Sequence, residues 1–67
     1  MKIFGERVKQ ELKAQGKKQV DLARELGVQK STLSEWLNAN NEPPMKEIVA
    51  IALYLEVSTD YLLGLED

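Results

Sequence analysis

One short segment carries polar residues whose types and spacing suit binding to the edges of nucleic-acid bases. The spacing i, i+3, i+4, i+7 places residues on one face of a helix. This spacing is shared by Ser31, Ser34, Glu35 and Asn38, and Lys30 lies beside them. Hydroxyl, carboxylate, amide and ammonium groups complement the donors and acceptors that base edges present in the major groove. The segment therefore predicts a helix whose outer face can contact a nucleic acid.

Apolar stripes predict the elements that hold this polar face in place. On the same helix, Leu33, Trp36 and Leu37 share the opposite side. Trp36 has two interpretations, stacking on a base or packing in the core, and its spacing with the two leucines favours the core. A preceding helix has its own apolar face, formed by Leu22, Ala23 and Leu26. Gly27 lies between the two helices, where a chain reversal requires the positive φ that glycine accepts.

The whole chain is predicted to form five helices and no strands, a compact all-α domain. We expect helices over residues 3–15, 19–26, 29–38, 45–56 and 59–63. Gly16 is predicted to end the first helix, and Ser58 to cap the fifth. Pro44 is predicted as the first residue of the fourth helix, where its missing N–H costs little. The fourth helix is apolar around most of its circumference, which predicts a central core helix.

The composition limits the classes of function. The chain has 67 residues, which suits a single domain over residues 1–67, and it has neither cysteine nor histidine. Disulfides, thiolate metal sites and the most frequent general base are therefore absent, so we expect no enzyme, no metal and no cofactor. No apolar run approaches the roughly 18 residues of a membrane span. The N-terminal segment also lacks a signal-peptide pattern, so a cytoplasmic location without membrane partners is the simplest expectation.

Charge is distributed unevenly along the chain. The net charge is −2, but residues 1–30 hold eight basic groups against four acidic ones, whereas residues 31–67 hold one basic group against seven acidic ones. An anionic partner would therefore meet the N-terminal half. The alternative is that these charges only solvate exposed helix faces. The acidic residues Asp21 and Glu25, four apart, are interpreted as such a surface pair.

Four segments in order give the chain a resemblance to a known family. They are Gln19-x-x-Leu-Ala-x-x-Leu-Gly-Val28, then Ser31-x-Leu-Ser-x-Trp36, then Pro43, then Ile51-Ala-x-x-Leu-x-Val-Ser-x-Asp-Tyr-Leu-Leu63. The chain resembles the phage-repressor/Cro-type helix-turn-helix family, the XRE-like transcriptional regulators. The resemblance covers about residues 3–64. It implies a five-helix lambda-repressor-like DNA-binding domain, encoded by a bacterium, a phage or a mobile element.

The resemblance also implies site residues. The third helix would be the recognition helix in the major groove of double-stranded DNA. The positions expected to face base edges are Gln29, Lys30, Ser31 and Glu35. Those expected to contact phosphates are Lys17, Lys18, Gln19, Thr32, Asn38, Asn40 and Asn41.

Several positions depart from the family pattern. The loop after the third helix usually has glycine and basic residues, whereas Glu42 here would face phosphate, so we expect weak and salt-dependent binding. Glu56 stands where glycine often caps the fourth helix. Many relatives pair an arginine in helix one with a glutamate late in helix three, at the positions of Leu12 and Leu37. We interpret this as an ion pair replaced by a leucine contact, which can be neutral or stabilising.

Self-association is the remaining expectation. A homodimer interface is predicted at the C-terminal region, from Tyr54, Tyr61, Leu62 and Leu65, with one or two of the C-terminal apolar residues in the core instead. Three functions stay open. The first is a homodimeric repressor that binds an inverted-repeat operator. The second is the antitoxin of a toxin–antitoxin pair, and the third is a module that binds only an unknown protein partner.

Overall fold

A computed structural model describes all of residues 1–67 and contains five helices and no strands, which confirms the all-α prediction. The helices are α1 (Lys2–Ala14), α2 (Gln19–Leu26), α3 (Lys30–Leu37), α4 (Met45–Leu55) and α5 (Thr59–Leu62). The predicted ranges differ by one residue at some ends, because residues such as Gln29 and Asn38 act as caps outside the helix. No helix combines the length and the apolar composition that a membrane span requires.

The helix ends follow the predicted cap residues with one exception. Gly16 adopts a left-handed φ of +67° directly after Gln15, the C-cap of α1. At α5, Ser58 Oγ accepts the Tyr61 N–H at 3.0 Å, as expected of an N-cap. Pro44 was predicted inside α4, but it is the N-cap, with an extended ψ of 153°. It suits this position because its carbonyl accepts the N–H groups of Glu47 and Ile48 while it has no N–H of its own to satisfy.

The core lies where α1 packs against α3, α4 and α5, and where α2 packs against α3 and α4. Trp36 belongs to this core with 7% of its surface exposed, so core packing is the correct interpretation of that residue. The buried apolar side chains form one cluster, made of Phe4, Val8, Leu12, Leu22, Ala23, Leu33, Trp36, Leu37, Ile48, Ile51, Ala52, Leu55 and Leu62.

The prediction for the fourth helix is wrong in one respect, because α4 is buried on one side only. Ile48 and Ile51 point into the core, at 4% and 0% exposed. Met45, Val49 and Leu53 form a stripe on the other side, at 69%, 42% and 74% exposed. The physical reason is that α1, α2 and α5 pack against the side of Ile48 and Ile51, and none of these helices covers the opposite side.

Candidate nucleic-acid interface

The turn between α2 and α3 fixes the position of α3. Gly27 has a left-handed φ of +71°, and the Val28 N–H donates to the carbonyl of Ala23 at 3.0 Å. Leu22 of α2 and Leu33 of α3 are both fully buried in the common core. With its apolar side packed there, α3 presents its polar side outward.

The outward side of α3 brings together the residues predicted to face base edges. Gln29, Lys30, Ser31 and Glu35 are all exposed. Gln29 caps the helix, and its Oε1 accepts a hydrogen bond from Ser31 Oγ at 3.5 Å. Lys30 has no ion pair, since the single ion pair of the chain joins Arg24 to Asp21 at 3.1 Å on the surface of α2. The Lys30 ammonium is therefore available to a ligand.

The loop after α3 folds back onto the helix through Glu35. The Asn40 N–H donates to the Glu35 carbonyl at 2.9 Å, and Asn41 Nδ2 donates to Glu35 Oε1 at 3.2 Å. Ala39 permits this reversal with a φ of +63°. As a result, one carboxylate oxygen of Glu35 is occupied, and the amide donor of Asn41 is directed to Glu35.

Asn38 is held from both sides at the end of α3. Its Oδ1 accepts from Lys9 Nζ at 2.7 Å, and its Nδ2 donates to Ser34 Oγ at 3.2 Å. Lys9 belongs to α1, 29 residues away in the chain. No local pattern signals such a contact, so the sequence analysis did not include Lys9 among the candidate residues.

The first turns of α2 and α3 lack side-chain caps. Lys18 and Gln29 occupy the N-cap positions with extended backbone, and neither caps its helix through its side chain. Backbone N–H groups at such ends suit an anionic oxygen, which the positive end of the helix dipole also favours. Gln19 and Thr32, predicted to contact phosphates, lie in these turns and are half-buried, whereas Lys18 is exposed.

Lys17 is placed differently from the prediction. Its ammonium lies 4.5 Å from the centre of the Tyr54 ring and donates to the Tyr54 carbonyl at 3.2 Å. This cation–π contact and hydrogen bond direct Lys17 toward the end of α4. To bind a phosphate, Lys17 must first leave Tyr54.

The C-terminal region holds a similar cation–π pair, and one residue predicted to lie at an interface there is buried instead. Arg7 lies 4.5 Å from the centre of the Tyr61 ring and donates to the carbonyls of Tyr61 at 2.6 Å and Glu66 at 2.5 Å. Leu62 was assigned to a dimer interface, but it is fully buried, because α5 uses it to close the core over α1 and α4. Of the predicted interface, Leu65 is 73% exposed, and the two tyrosines are half-buried.

Comparisons with known proteins agree with this architecture. The sequence profile of a family described as "Helix-turn-helix" matches residues 8–62. A Bacillus subtilis (strain 168) protein, described as the uncharacterized HTH-type transcriptional regulator YobD, is 32% identical over 65 residues. That alignment covers 97% of this chain but 58% of the relative, so the chain spans little more than half of that protein's length. No solved structure gives a significant match.

Proposed function

Because this chain belongs to the helix-turn-helix family, we propose that it is a sequence-specific DNA-binding transcriptional regulator, with α3 as its recognition helix in the major groove. One observation supports the proposal most. Gln29, Lys30, Ser31 and Glu35 stand exposed on one side of α3, while the other side is anchored in the core. A rigid helix with this arrangement presents its polar groups to base edges without disturbing the fold.

The side chains limit which bases can be recognised. Lys30 can donate to guanine O6 and N7, and Gln29 can pair with adenine through both amide groups. Glu35 keeps one carboxylate oxygen outside its bond to Asn41, and this oxygen can accept from cytosine N4. Phosphates would be bound by Lys18, by Gln19 and Thr32 with the N–H groups of the two first turns, and by Asn40 in the loop.

The small number of base contacts per subunit favours a homodimer that binds an inverted repeat. Each good bidentate pair contributes about 1–3 kcal/mol of discrimination, so one subunit alone gives modest specificity. Two subunits on half-sites one helical turn apart multiply it. By occupying an operator, such a dimer would block polymerase and act as a repressor. We assign self-association to Tyr54, Tyr61 and Leu65.

Selection of bound sites from a randomised duplex pool, at low and near-physiological salt, tests the DNA-binding proposal. An enriched inverted repeat is the expected result, and the double variant Lys30→Ala/Ser31→Ala should lose it. Retention without enrichment would limit the function to backbone binding. No retention at low salt would contradict DNA binding and favour a protein partner, as in an antitoxin or a protein-binding module.

Sedimentation of two matched variants tests the dimer interface. Leu65 and Met45 are similarly exposed, at 73% and 69%, but Leu65 lies at the C-terminal region and Met45 at the start of α4, away from Tyr54. Leu65→Asp should lower the dimer fraction, and Met45→Asp should leave it unchanged. The opposite result would move the interface to the apolar stripe of α4.

A further inference from the structure

We propose that Lys9 of α1, held by Asn38, forms a phosphate-binding site at the edge of the DNA interface. The inference rests on the proposed function. It adds a third helix to an interface that the sequence assigns to α2, α3 and the following loop. The ligand is a backbone phosphate of the duplex, bound by an ammonium group without base specificity.

The hydrogen bonds of Asn38 indicate that Lys9, rather than Asn38, is the donor available to a phosphate. An ammonium group only donates, so the amide oxygen of Asn38 must face Lys9, and its NH₂ group faces Ser34. Asn38 therefore has its NH₂ group directed to Ser34, and its oxygen already accepts from a cation. A phosphate oxygen needs a donor, and Lys9 supplies it, because one of its three N–H groups binds Asn38 and two remain.

The packing of α1 on α3 keeps Lys9 at this position. Gly5, one turn before Lys9, lies against the backbone of Leu37, the residue that precedes Asn38. Lys9 itself is exposed and has no carboxylate partner. The bond to Asn38 restricts a flexible side chain beside the recognition helix, which reduces the entropy that phosphate binding would cost.

The loop after α3, residues 38–44, contains no cation, and the phosphate donor assigned there is the neutral amide of Asn40. Asn41 is bonded to Glu35, and Glu42 adds a negative charge to the loop. Lys17 is directed to Tyr54, away from this end of α3. Lys9, held at Asn38, therefore brings a cation beside a loop that has none of its own, where the resemblance to the family implies basic residues.

Salt-dependent binding of a labelled duplex of mixed sequence tests the inference. Each phosphate contact contributes about 0.9 to the slope of log affinity against log salt, or roughly a 3.5-fold loss between about 50 and about 200 mM. Lys9→Gln should lower this slope by about 0.9, the contribution of one phosphate contact. It should weaken the binding of mixed and selected sequences equally. Lys9→Arg should restore both values, since arginine also donates to phosphate.

The matched control is Lys13→Gln, which removes the same charge one turn further along α1. An equal loss in both variants would contradict a defined site and indicate a general field effect. Wild-type slope and affinity in Lys9→Gln, with binding retained, would overturn the inference and leave the proposed function intact. Absence of binding by the wild-type chain at low salt would overturn both. Thermal melting of each variant verifies that the fold is unchanged.

Discussion

The backbone of Gly5 in α1 lies directly against the backbone of Leu37 at the end of α3. A Cβ atom placed on Gly5 would stand 1.8 Å from the Leu37 carbonyl oxygen and 2.6 Å from its carbonyl carbon. Any side chain at position 5 must therefore separate the two helices. One turn further along α1, Lys9 Nζ lies 2.7 Å from Oδ1 of Asn38, the residue after Leu37.

Gly5→Ala should destabilise the fold, although alanine favours helices. The obstacle is backbone, which cannot rotate away, so we expect a loss of at least about 1–3 kcal/mol in the free energy of unfolding. Urea denaturation measures it. Gly16→Ala is the control, because the space around Gly16 is open and only its positive φ is strained. An equal or smaller loss at Gly5 would contradict the contact.

Leu37→Glu should be severely destabilising. Leu37 is 3% exposed, and an unpaired carboxylate there costs several kcal/mol or shifts toward its neutral form. Thermal unfolding of Leu37→Glu, Leu12→Arg and the double variant tests the proposed equivalence with the ion pair of relatives. The double variant should be more stable than Leu37→Glu alone. Strict additivity would show that the two positions do not interact.

Glu56→Gly should stabilise the chain. Glu56 caps α4 with a left-handed φ of +56°, where side chains are strained and glycine is not. We expect the free energy of unfolding to rise by about 1 kcal/mol, with a higher melting temperature. Glu56→Ala keeps the strain and should change little. A gain in the alanine variant equal to that in the glycine variant would assign the effect to charge.

Ile51 and Leu53 should respond differently to truncation. Both belong to the apolar run of α4, but Ile51 is 0% exposed and Leu53 is 74% exposed. Ile51→Ala should lower the free energy of unfolding by about 2–5 kcal/mol, because it leaves a cavity in the core. Leu53→Ala should change this free energy by no more than about 0.5 kcal/mol. Denaturant titrations of the two variants give the comparison. A large loss at Leu53 would show that this side of α4 is covered in solution.

Glu35→Gln should change DNA discrimination more than stability. The glutamine oxygen can still accept from Asn41, so the loop should stay in place. Removing the negative charge should strengthen binding to a mixed-sequence duplex at low salt and reduce the preference for the selected site. Anisotropy titrations with both duplexes measure the ratio of the affinity for the selected site to the affinity for the mixed sequence. Glu56→Gln, with the same charge change at the end of α4, should leave the ratio unchanged.

Local patterns were sufficient for the helices and for the exposed side of α3. Gly27 and Ser58 mark ends by their own backbone and side-chain preferences, which depend on neighbours a few residues away. The spacing of Leu33, Trp36 and Leu37 separates the buried side of α3 from the polar side in the same way. These features could be predicted because their causes lie within one or two turns of chain.

Tertiary packing decided what periodicity leaves open. An apolar run such as that of α4 does not state which side has a neighbour, so the helix was predicted as buried although Leu53 is exposed. In the same way, the apolar residues of α5 do not state which of them closes the core, and Leu62 was predicted at an interface. The partners of Asn38 and Tyr61 lie 29 and 54 residues away, and their amide, carbonyl and ring groups are fixed only when α1 docks on α3 and α5. The sequence by itself determined five helices and the exposed polar side of α3. Only the packed structure determined which donors on that surface are already bonded, because hydrogen bonding between distant residues depends on helix placement.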